Sequence, residues 1–156
     1  MAVHMVRHAK AGSRHAWDSP DELRPLTEAG WAQAEALAEI LAAEEVKRVV
    51  TSRYVRCVQT LEPLARRLGL PVEEHDALAE EADFDATWAL LQELSGAEAA
   101  VCTHGNLVTA TLDRLHRLGV ERVAGDWSAK KGSVWRLEAG PDGRFARACL
   151  TPPPRR

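Results

Sequence analysis

Short apolar runs alternate along this chain with longer segments in which apolar residues recur every three or four positions. The run at 3–6 precedes a helical pattern that begins at Thr27, and the run at 48–51 precedes helical spacing over 55–68. Strands that alternate with helices predict a mostly parallel sheet with helices on both faces. We therefore predict an α/β fold, a three-layer α-β-α sandwich with a mostly parallel central sheet. Further strands are predicted at 71–74, 99–102, 133–137 and 145–150, and further helices at 84–94 and 108–118.

Two features qualify this pattern. Pro63 lies inside the second helical segment and predicts a kink or a helix that restarts, because proline lacks an N–H and clashes with the preceding turn. The final six residues are rich in proline and predict a flexible tail at 151–156. The rest of the 156-residue chain has no linker-like stretch, so we predict one domain over residues 1–150.

Composition narrows the class of protein. A net charge of −3 argues against a binder of nucleic-acid polymers. The sequence has no run of eighteen apolar residues, so we expect no membrane span. It also has no apolar region typical of a signal peptide, so we do not expect export. Cys57, Cys102 and Cys149 show no paired spacing and predict reduced thiols in a cytoplasmic protein.

Basic and polar residues follow three of the predicted strands. Arg7 and His8 end the first strand, Arg56 follows the second, and His104 and Asn106 follow the strand at 99–102. In such sheets ligands bind beyond the carboxyl ends of the strands, so these groups should meet at one edge. Arginine forks hold two phosphate oxygens at once, and helix N-termini favour anions. Each residue alone has a structural explanation, but their convergence predicts a phosphate site.

Four motifs in this order, "VRHAKAG", "TSRYVRCVQT", "LAEE" and "CTHGN", resemble those of the histidine phosphatase superfamily. The stretch "RPLTEAGWAQAEAL" is similar to SixA-type phosphohistidine phosphatases. The stretches "RHAKAG", "RCVQTLEPLA" and "KKGSVW" resemble the phosphatase-like half that is joined to MutT-type Nudix hydrolases in actinobacteria. The resemblance covers residues 3 to 150. No Nudix box is present, so this second similarity suggests only a functional link to a Nudix hydrolase.

The resemblance implies roles for individual positions. His8 would be the nucleophile that accepts the phosphoryl group, with Arg7 beside it on the phosphate oxygens. The family spacing of Ser, Arg and Thr selects Arg56 as a second phosphate ligand. His104 would hold the phosphate as the second catalytic histidine, and Glu80 would be the proton donor. Glu81 stands next to it as the alternative donor.

Two departures from the family pattern stand out. Ala9 replaces the usual glycine after the histidine, and it would be strained if the turn required a positive φ. Arg53 occupies a position where many relatives have proline. Charged or polar residues around the mouth are further candidates for substrate binding, and they could equally be solvated surface residues. They are Lys10, Arg14, Arg53, Asn106 and Lys131.

The predicted function is hydrolysis of a phosphomonoester or phosphoramidate through a phosphohistidine intermediate, without cofactor or metal. The substrate is a phosphohistidine protein, a nucleotide or a small phosphometabolite, and the residues leave these three open. The alternative is a non-catalytic module that binds phosphohistidine or a nucleotide. A metal site at His4 and His8 lacks carboxylate partners, and neither Cys57 nor Cys102 begins a C-x5-R motif. Trp17 and Trp127 fall in predicted loops. There each could be an ordinary packing residue, or could line the pocket or stack on a base.

Overall fold

A computed structural model describes residues 1–123 and 125–154. Within them lie seven strands, four α-helices and two short 3₁₀ turns, at Asp21–Leu23 and Asp76–Leu78. The strands are β1 (Ala2–Arg7), β2 (Arg48–Thr51), β3 (Val72–Glu74), β4 (Ala99–Thr103), β5 (Glu121–Val123), β6 (Val134–Ala139) and β7 (Phe145–Thr151). The helices are α1 (Glu28–Ala42), α2 (Val55–Leu68), α3 (Phe84–Ser95) and α4 (Gly105–Arg117). No helix in this part of the chain is long and apolar enough to cross a membrane.

The strands form one sheet in the order β3-β2-β4-β1-β6-β7-β5. The β1–β4, β2–β4, β2–β3 and β5–β7 pairs are parallel, while β6 is antiparallel to both β1 and β7. The prediction of a mostly parallel sheet is therefore confirmed. Because β1, β2 and β4 are parallel neighbours, their carboxyl ends open onto the same edge.

Alternation along the strands separates two apolar layers. Ala99 and Val101 of β4 face a cluster shared with α3 and α4, whereas Ala100 and Cys102 face a cluster shared with α1 and α2. Successive side chains of a strand point to opposite faces, so a central strand covered on both faces is apolar throughout. This confirms the predicted three-layer sandwich.

Several element boundaries differ from the prediction. Helix α2 runs unbroken through the buried Pro63, so it does not restart there. Leu118 lies one residue beyond α4 and is exposed, not part of the packed helix face. Thr151 pairs with Val134 as the last residue of β7, so the prediction of a tail at 151–156 placed its first residue one position too early. Residues 155 and 156 of that tail lie outside the described part of the chain.

The loop after β1 is held tightly against the start of α1. Thr27 caps this helix, with its Oγ1 accepting from the Gly30 N–H at 3.0 Å, and its own N–H donates to the Lys10 carbonyl at 3.0 Å. A Cβ on Gly30 would lie 2.0 Å from the Lys10 oxygen. Glycine is therefore needed where the helix and the loop cross, and this crossing fixes the chain that follows His8.

Candidate active site

Three parallel strands deliver their ends to a single cavity. Arg7 and His8 come from the end of β1, Tyr54 follows β2, and His104 follows β4. The cavity has a volume of about 850 Å³. Its lining consists of Arg7, His8, Arg14, Tyr54, Glu80, Glu81, His104, Gly105, Asn106 and Thr109. The sequence prediction that these strand ends meet is confirmed by the parallel sheet.

His8 is a buried residue of this cavity, and a contact with the backbone fixes which of its ring nitrogens carries the proton. Its side chain is 6% exposed, and its Nδ1 lies 2.8 Å from the Ala9 carbonyl oxygen. A carbonyl can only accept, so Nδ1 carries the proton and Nε2 keeps a free lone pair. Burial, reinforced by the charges of Arg56 and Arg7, lowers the pKa of His8 to about 4. The imidazole is therefore neutral near pH 7.

Ala9 is not strained at the position where the family has glycine. Among the described non-glycine residues, only Glu98 has a positive φ. The Ala9 N–H donates to Thr60 Oγ1 at 3.0 Å, and that hydroxyl in turn donates to the Arg56 carbonyl at 2.7 Å. The turn after His8 is thus tied to helix α2, and the alanine fits it without the expected penalty.

His104 faces His8 across the floor of the cavity, with ring centroids 5.7 Å apart. Its Nε2 lies 2.9 Å from Ser52 Oγ, and that oxygen accepts from the Tyr54 N–H at 3.2 Å. If the hydroxyl proton points to Nε2, the ring proton sits on Nδ1, which is buried and has no hydrogen-bond partner. Burial is the main reason that the pKa of His104 falls to about 3. In this tautomer the neutral ring carries an N–H donor on Nδ1, 3.5 Å from Glu80 Oε1.

Arg7 is pinned between a loop carbonyl and the start of α4. Its Nη1 donates to the Ala129 carbonyl at 2.6 Å, while its buried Nε has no partner. A Cβ on Gly105 would lie 2.6 Å from the Arg7 Cζ. Glycine at the first position of α4 is what lets the guanidinium lie against the helix N-terminus, where anions are favoured.

Arg56 is fully buried and is neutralised by acids. Its Nη1 donates to the Asp21 carbonyl at 2.9 Å, and its Nη2 donates to Asp21 Oδ2 at 3.0 Å and Glu80 Oε1 at 2.8 Å. Its side chain is 0% exposed and its Nε has no partner. The guanidinium also lies over the Tyr54 ring, 5.0 Å from the centroid. A buried arginine needs such partners because an uncompensated buried charge is strongly destabilising.

The two candidate proton donors have different surroundings. Glu81 is bound by the Arg53 guanidinium and by the Tyr54 hydroxyl, the latter at 2.9 Å. The Arg53 hydrogen bond is the largest cause that lowers the pKa of Glu81 to about 2. Glu80 instead places Oε1 3.5 Å from His104 Nδ1 and contacts Arg56. Glu80 is therefore the member of the acid pair that contacts His104.

The predicted substrate-binding residues divide into two groups. Arg14 and Asn106 line the cavity, and the Asn106 amide donates to the Glu80 carbonyl at 2.9 Å. Arg53 does not line it, because its guanidinium is taken by Glu22, Glu81 and Asp76. Lys10 and Lys131 are exposed outside the lining. The pKa of Lys131 is lowered by partial burial and then by nearby cations, Arg7 first among them.

Sequence reasoning missed four residues of the site. Asp21 holds Arg56 from a loop, Tyr54 and Thr109 line the cavity, and Gly105 makes room for Arg7. Tyr54 and Gly105 stand inside quoted motifs and so had a signal. Asp21 and Thr109 had none, since their position depends on how a loop and a helix face pack.

The geometry describes a cradle for an anion. Five buried side-chain polar atoms lack a partner in the described residues, and three of them belong to residues predicted to bind phosphate; of those residues, Arg7 and His104 line the cavity and Arg56 does not. These three are Arg7 Nε, Arg56 Nε and His104 Nδ1. Buried donors are normally satisfied, so a cluster of unsatisfied ones marks a place where a ligand completes the bonding. Over residues 1–123 and 125–154, no group of three or more His, Cys, Asp or Glu has the arrangement of a metal site.

Comparison with known proteins agrees with this geometry. The family model described as "Histidine phosphatase superfamily (branch 1)" matches residues 3–86, which is more than half of the chain. The chain belongs to the histidine phosphatase superfamily. The match includes His8, Arg56 and Glu80 within its bounds, while His104 lies beyond them.

The names of the individual relatives refer to different substrates. An 8-oxo-(d)GTP phosphatase of Mycolicibacterium smegmatis is 34% identical over 97% of this chain, which spans 48% of that relative's length. The chain thus spans about half of the curated relative that it matches. A SixA protein histidine phosphatase solved with tungstate has 23% identity and a TM-score of 0.71, covering 97% of this chain and 94% of its own.

A mycobacterial glucosyl-3-phosphoglycerate phosphatase shares the same fold at greater distance. Its native structure has 20% identity and a TM-score of 0.66, covering 96% of each chain. At this level of identity, these two solved structures show the fold and not the substrate.

Proposed function

We propose that this protein is a phosphatase that hydrolyses its substrate through a phosphohistidine on His8. The observation that carries the proposal is the tautomer of His8. Its Nδ1 proton is held by the Ala9 carbonyl, so Nε2 of the neutral ring keeps a free lone pair, and His8 shares its cavity with Arg7 and His104, each of which has a buried donor without a partner. Phosphoryl transfer depends mainly on positioning and on stabilising the charge of the phosphoryl oxygens. Arg7, Arg56 and His104 supply both.

In the first step, His8 Nε2 attacks phosphorus, and the bond from phosphorus to the leaving group breaks. A bound phosphoryl group competes for Arg56 Nη2, which in the structure donates to Glu80 Oε1. Glu80, released from this ion pair, takes up a proton from solvent and then acts as the general acid that gives this proton to the leaving oxygen or nitrogen. Glu81 is unsuited to this role, because its lowered pKa keeps it ionised.

In the second step, water attacks the phosphohistidine. Glu80, now ionised, accepts a proton from the attacking water, and the bond between phosphorus and His8 Nε2 breaks to release inorganic phosphate. The ring returns to the neutral tautomer fixed by the Ala9 carbonyl. Every role in this cycle is filled by a side chain at the cavity, which favours an enzyme over a non-catalytic phosphohistidine- or nucleotide-binding module.

The substrate is proposed to be a phosphorylated small molecule or a phosphohistidine protein. The names of the relatives support these classes, since they refer to an oxidised nucleotide, a protein histidine and a sugar phosphoglycerate. We further propose that residues 1–150 form the catalytic domain and that it acts alongside a Nudix hydrolase. The free thiols of Cys57, Cys102 and Cys149 support a reducing, cytoplasmic setting.

Trapping the intermediate tests this function. Brief incubation with p-nitrophenyl phosphate or acetyl phosphate, followed by alkaline quenching and peptide mass mapping, should place a phosphoryl group on His8. His8→Asn should lose both label and turnover, whereas His15→Asn, at an exposed histidine outside the cavity, should keep both. A label on His104, or turnover without any labelled histidine, contradicts the assignment.

A further inference from the structure

A second, smaller cavity adjoins the one described above. It has a volume of about 240 Å³ and is lined by Thr109, Leu112, Asp113, His116, Trp127 and Ala129. Thr109 lines both cavities, so the two lie next to each other along α4. Complete sites for drug-sized ligands occupy roughly 300–1,000 Å³, so this volume suits one ring system and not a whole ligand.

The walls of this second cavity are aromatic and rigid. Trp127 stacks on the fully buried Trp135, with centroids 5.3 Å apart and planes 16° from parallel. The ring centroids of His116 and Trp127 lie 5.9 Å apart, with the planes at 67°. The Trp135 indole N–H donates to the Ser128 carbonyl at 2.7 Å, which fixes the segment that carries Trp127. An indole held in this way is a preformed platform for a flat ring.

The same segment links the second cavity to the phosphate cradle. Ala129 lines the second cavity, and its carbonyl oxygen accepts from Arg7 Nη1. Asp113 adds a carboxylate at the wall, where its partner Arg117 leaves the second oxygen free to accept from a ring N–H. The segment from Trp127 to Ala129 therefore carries an aromatic residue of the second cavity and also holds Arg7, which is predicted to bind phosphate.

The distance between the two cavities along α4 indicates how long a substrate must be to reach both. Seven residues separate Gly105, beside Arg7, from Leu112, which is about 10 Å at the rise of an α-helix. A ring bonded directly to the reacting phosphoryl group is too close to fill the second cavity. A ring joined to that group through a sugar and at least one further phosphate has the necessary reach.

We propose that the cavity at Trp127 and His116 binds the planar ring of the leaving group, and that the substrate is a nucleoside di- or triphosphate. This inference rests on the proposed phosphatase function and adds the class of leaving group to it. Ring binding at Trp127 would explain why an aromatic cavity lies next to a cavity lined by arginine and histidine. A phosphohistidine protein is the competing substrate and is an outcome of the test.

Binding to the His8→Asn protein tests the proposal without turnover. Calorimetry with GDP and with inorganic pyrophosphate compares a ligand that has a ring with one that has only the phosphates. We expect GDP to bind about tenfold more tightly, in line with the usual contribution of base stacking on an aromatic side chain. Adding Trp127→Ala or His116→Ala should remove this advantage and leave pyrophosphate binding unchanged.

Controls separate ring binding from structural damage. His116 is exposed, so His116→Ala tests the cavity even if Trp127→Ala loosens the segment that holds Arg7. Leu118→Ala, at an exposed position next to the same end of α4 and outside both cavities, should bind GDP as tightly as the parent. Equal affinity for GDP and pyrophosphate, or GDP binding that His116→Ala leaves intact, overturns the inference. Neither result bears on the labelling of His8, which tests the phosphatase function separately.

Discussion

The charge of each residue at the cavity follows from its burial. His8 and His104 are neutral because burial lowers the pKa of each, whereas Arg56 remains charged and is balanced by Asp21 and Glu80. Arginine is the side chain that tolerates this setting, since its proton is not lost in proteins and its fork serves two acceptors at once. A phosphate would therefore meet neutral imidazoles and one buried cation whose acid partners can be displaced.

Replacing Arg56 with lysine should be more damaging than the same change at Arg53. Lysine offers a single compact charge and cannot reproduce the paired hydrogen bonds of the fork. For Arg56→Lys we expect a loss of roughly 1.5–3 kcal/mol in transition-state binding, about ten- to a hundredfold in kcat/KM. Arg53→Lys is the matched control, because Arg53 is bound to Glu22, Glu81 and Asp76, whereas Arg56 is bound to Glu80, the proposed proton donor. Steady-state kinetics in which Arg53→Lys is the harmful change would contradict this assignment.

Among the elements, the segment between β3 and α3 is held in place by hydrogen bonds from three neighbouring elements to its backbone carbonyls. The Thr103 hydroxyl donates to the Leu78 carbonyl at 2.6 Å, the Thr87 hydroxyl to the Ala77 carbonyl at 2.6 Å, and Asn106 to the Glu80 carbonyl. Side chains of β4, α3 and α4 thus fix the backbone that carries the acid pair. Placing the carboxyl group on a fixed backbone keeps it within reach of the proton it transfers.

Neutralising each acid in turn should show which one is the proton donor. Glu80→Gln should lower kcat by about 10²–10⁴-fold, the usual contribution of general acid–base catalysis. Glu81→Gln should have a much smaller effect, because Glu81 is engaged by Arg53 and Tyr54. The loss in Glu80→Gln should be smaller for a substrate with a good leaving group, such as p-nitrophenyl phosphate, than for an alkyl phosphate. Similar losses in both variants for both substrates would contradict the assignment.

How much of the site could be predicted depends on which element carries each residue. Arg7, His8 and His104 end or follow neighbouring parallel strands, so a correct strand assignment was enough to bring them together. Asp21 reaches Arg56 from a loop whose course is set by Arg24 and by the crossing of α1 over Lys10, and no local pattern records that path. Strand β5, with two exposed residues and one half-buried residue at the sheet edge, likewise carries no alternation to detect.

For the whole molecule, the fold concentrates positive charge at one edge of an acidic protein. The net charge is −3, yet Arg7, Arg14 and Arg56 converge beyond β1 and β2, with Lys131 close by. Three parallel strands make this possible because their ends share an edge, while the antiparallel β6 and β7 extend the sheet on the other side. At this edge the fold keeps two neutral histidines buried, so its stability depends on pH.

Burying His8 and His104 as neutral groups should make the fold sensitive to mild acid. An unfolded histidine binds a proton below its usual pKa of 6.5, whereas folded His8 does so only near 4 and His104 near 3. Between those values the unfolded state holds more protons, so stability rises with pH and falls as pH drops from 6.5 towards 4. From pH 7 to pH 5 we expect a loss of about 2 kcal/mol per histidine in the free energy of unfolding.

Urea unfolding at pH 7 and pH 5 measures this loss. His8→Asn should reduce it by about 2 kcal/mol, because one buried neutral histidine has been removed. His15→Asn, at an exposed histidine, should leave the difference between the two pH values unchanged. The low pKa of Glu81 does not interfere, since its stabilising effect is lost only below about 4.5. An equal loss in the parent and in His8→Asn would mean that His8 is not held neutral, and the same finding would remove the basis for its role as nucleophile.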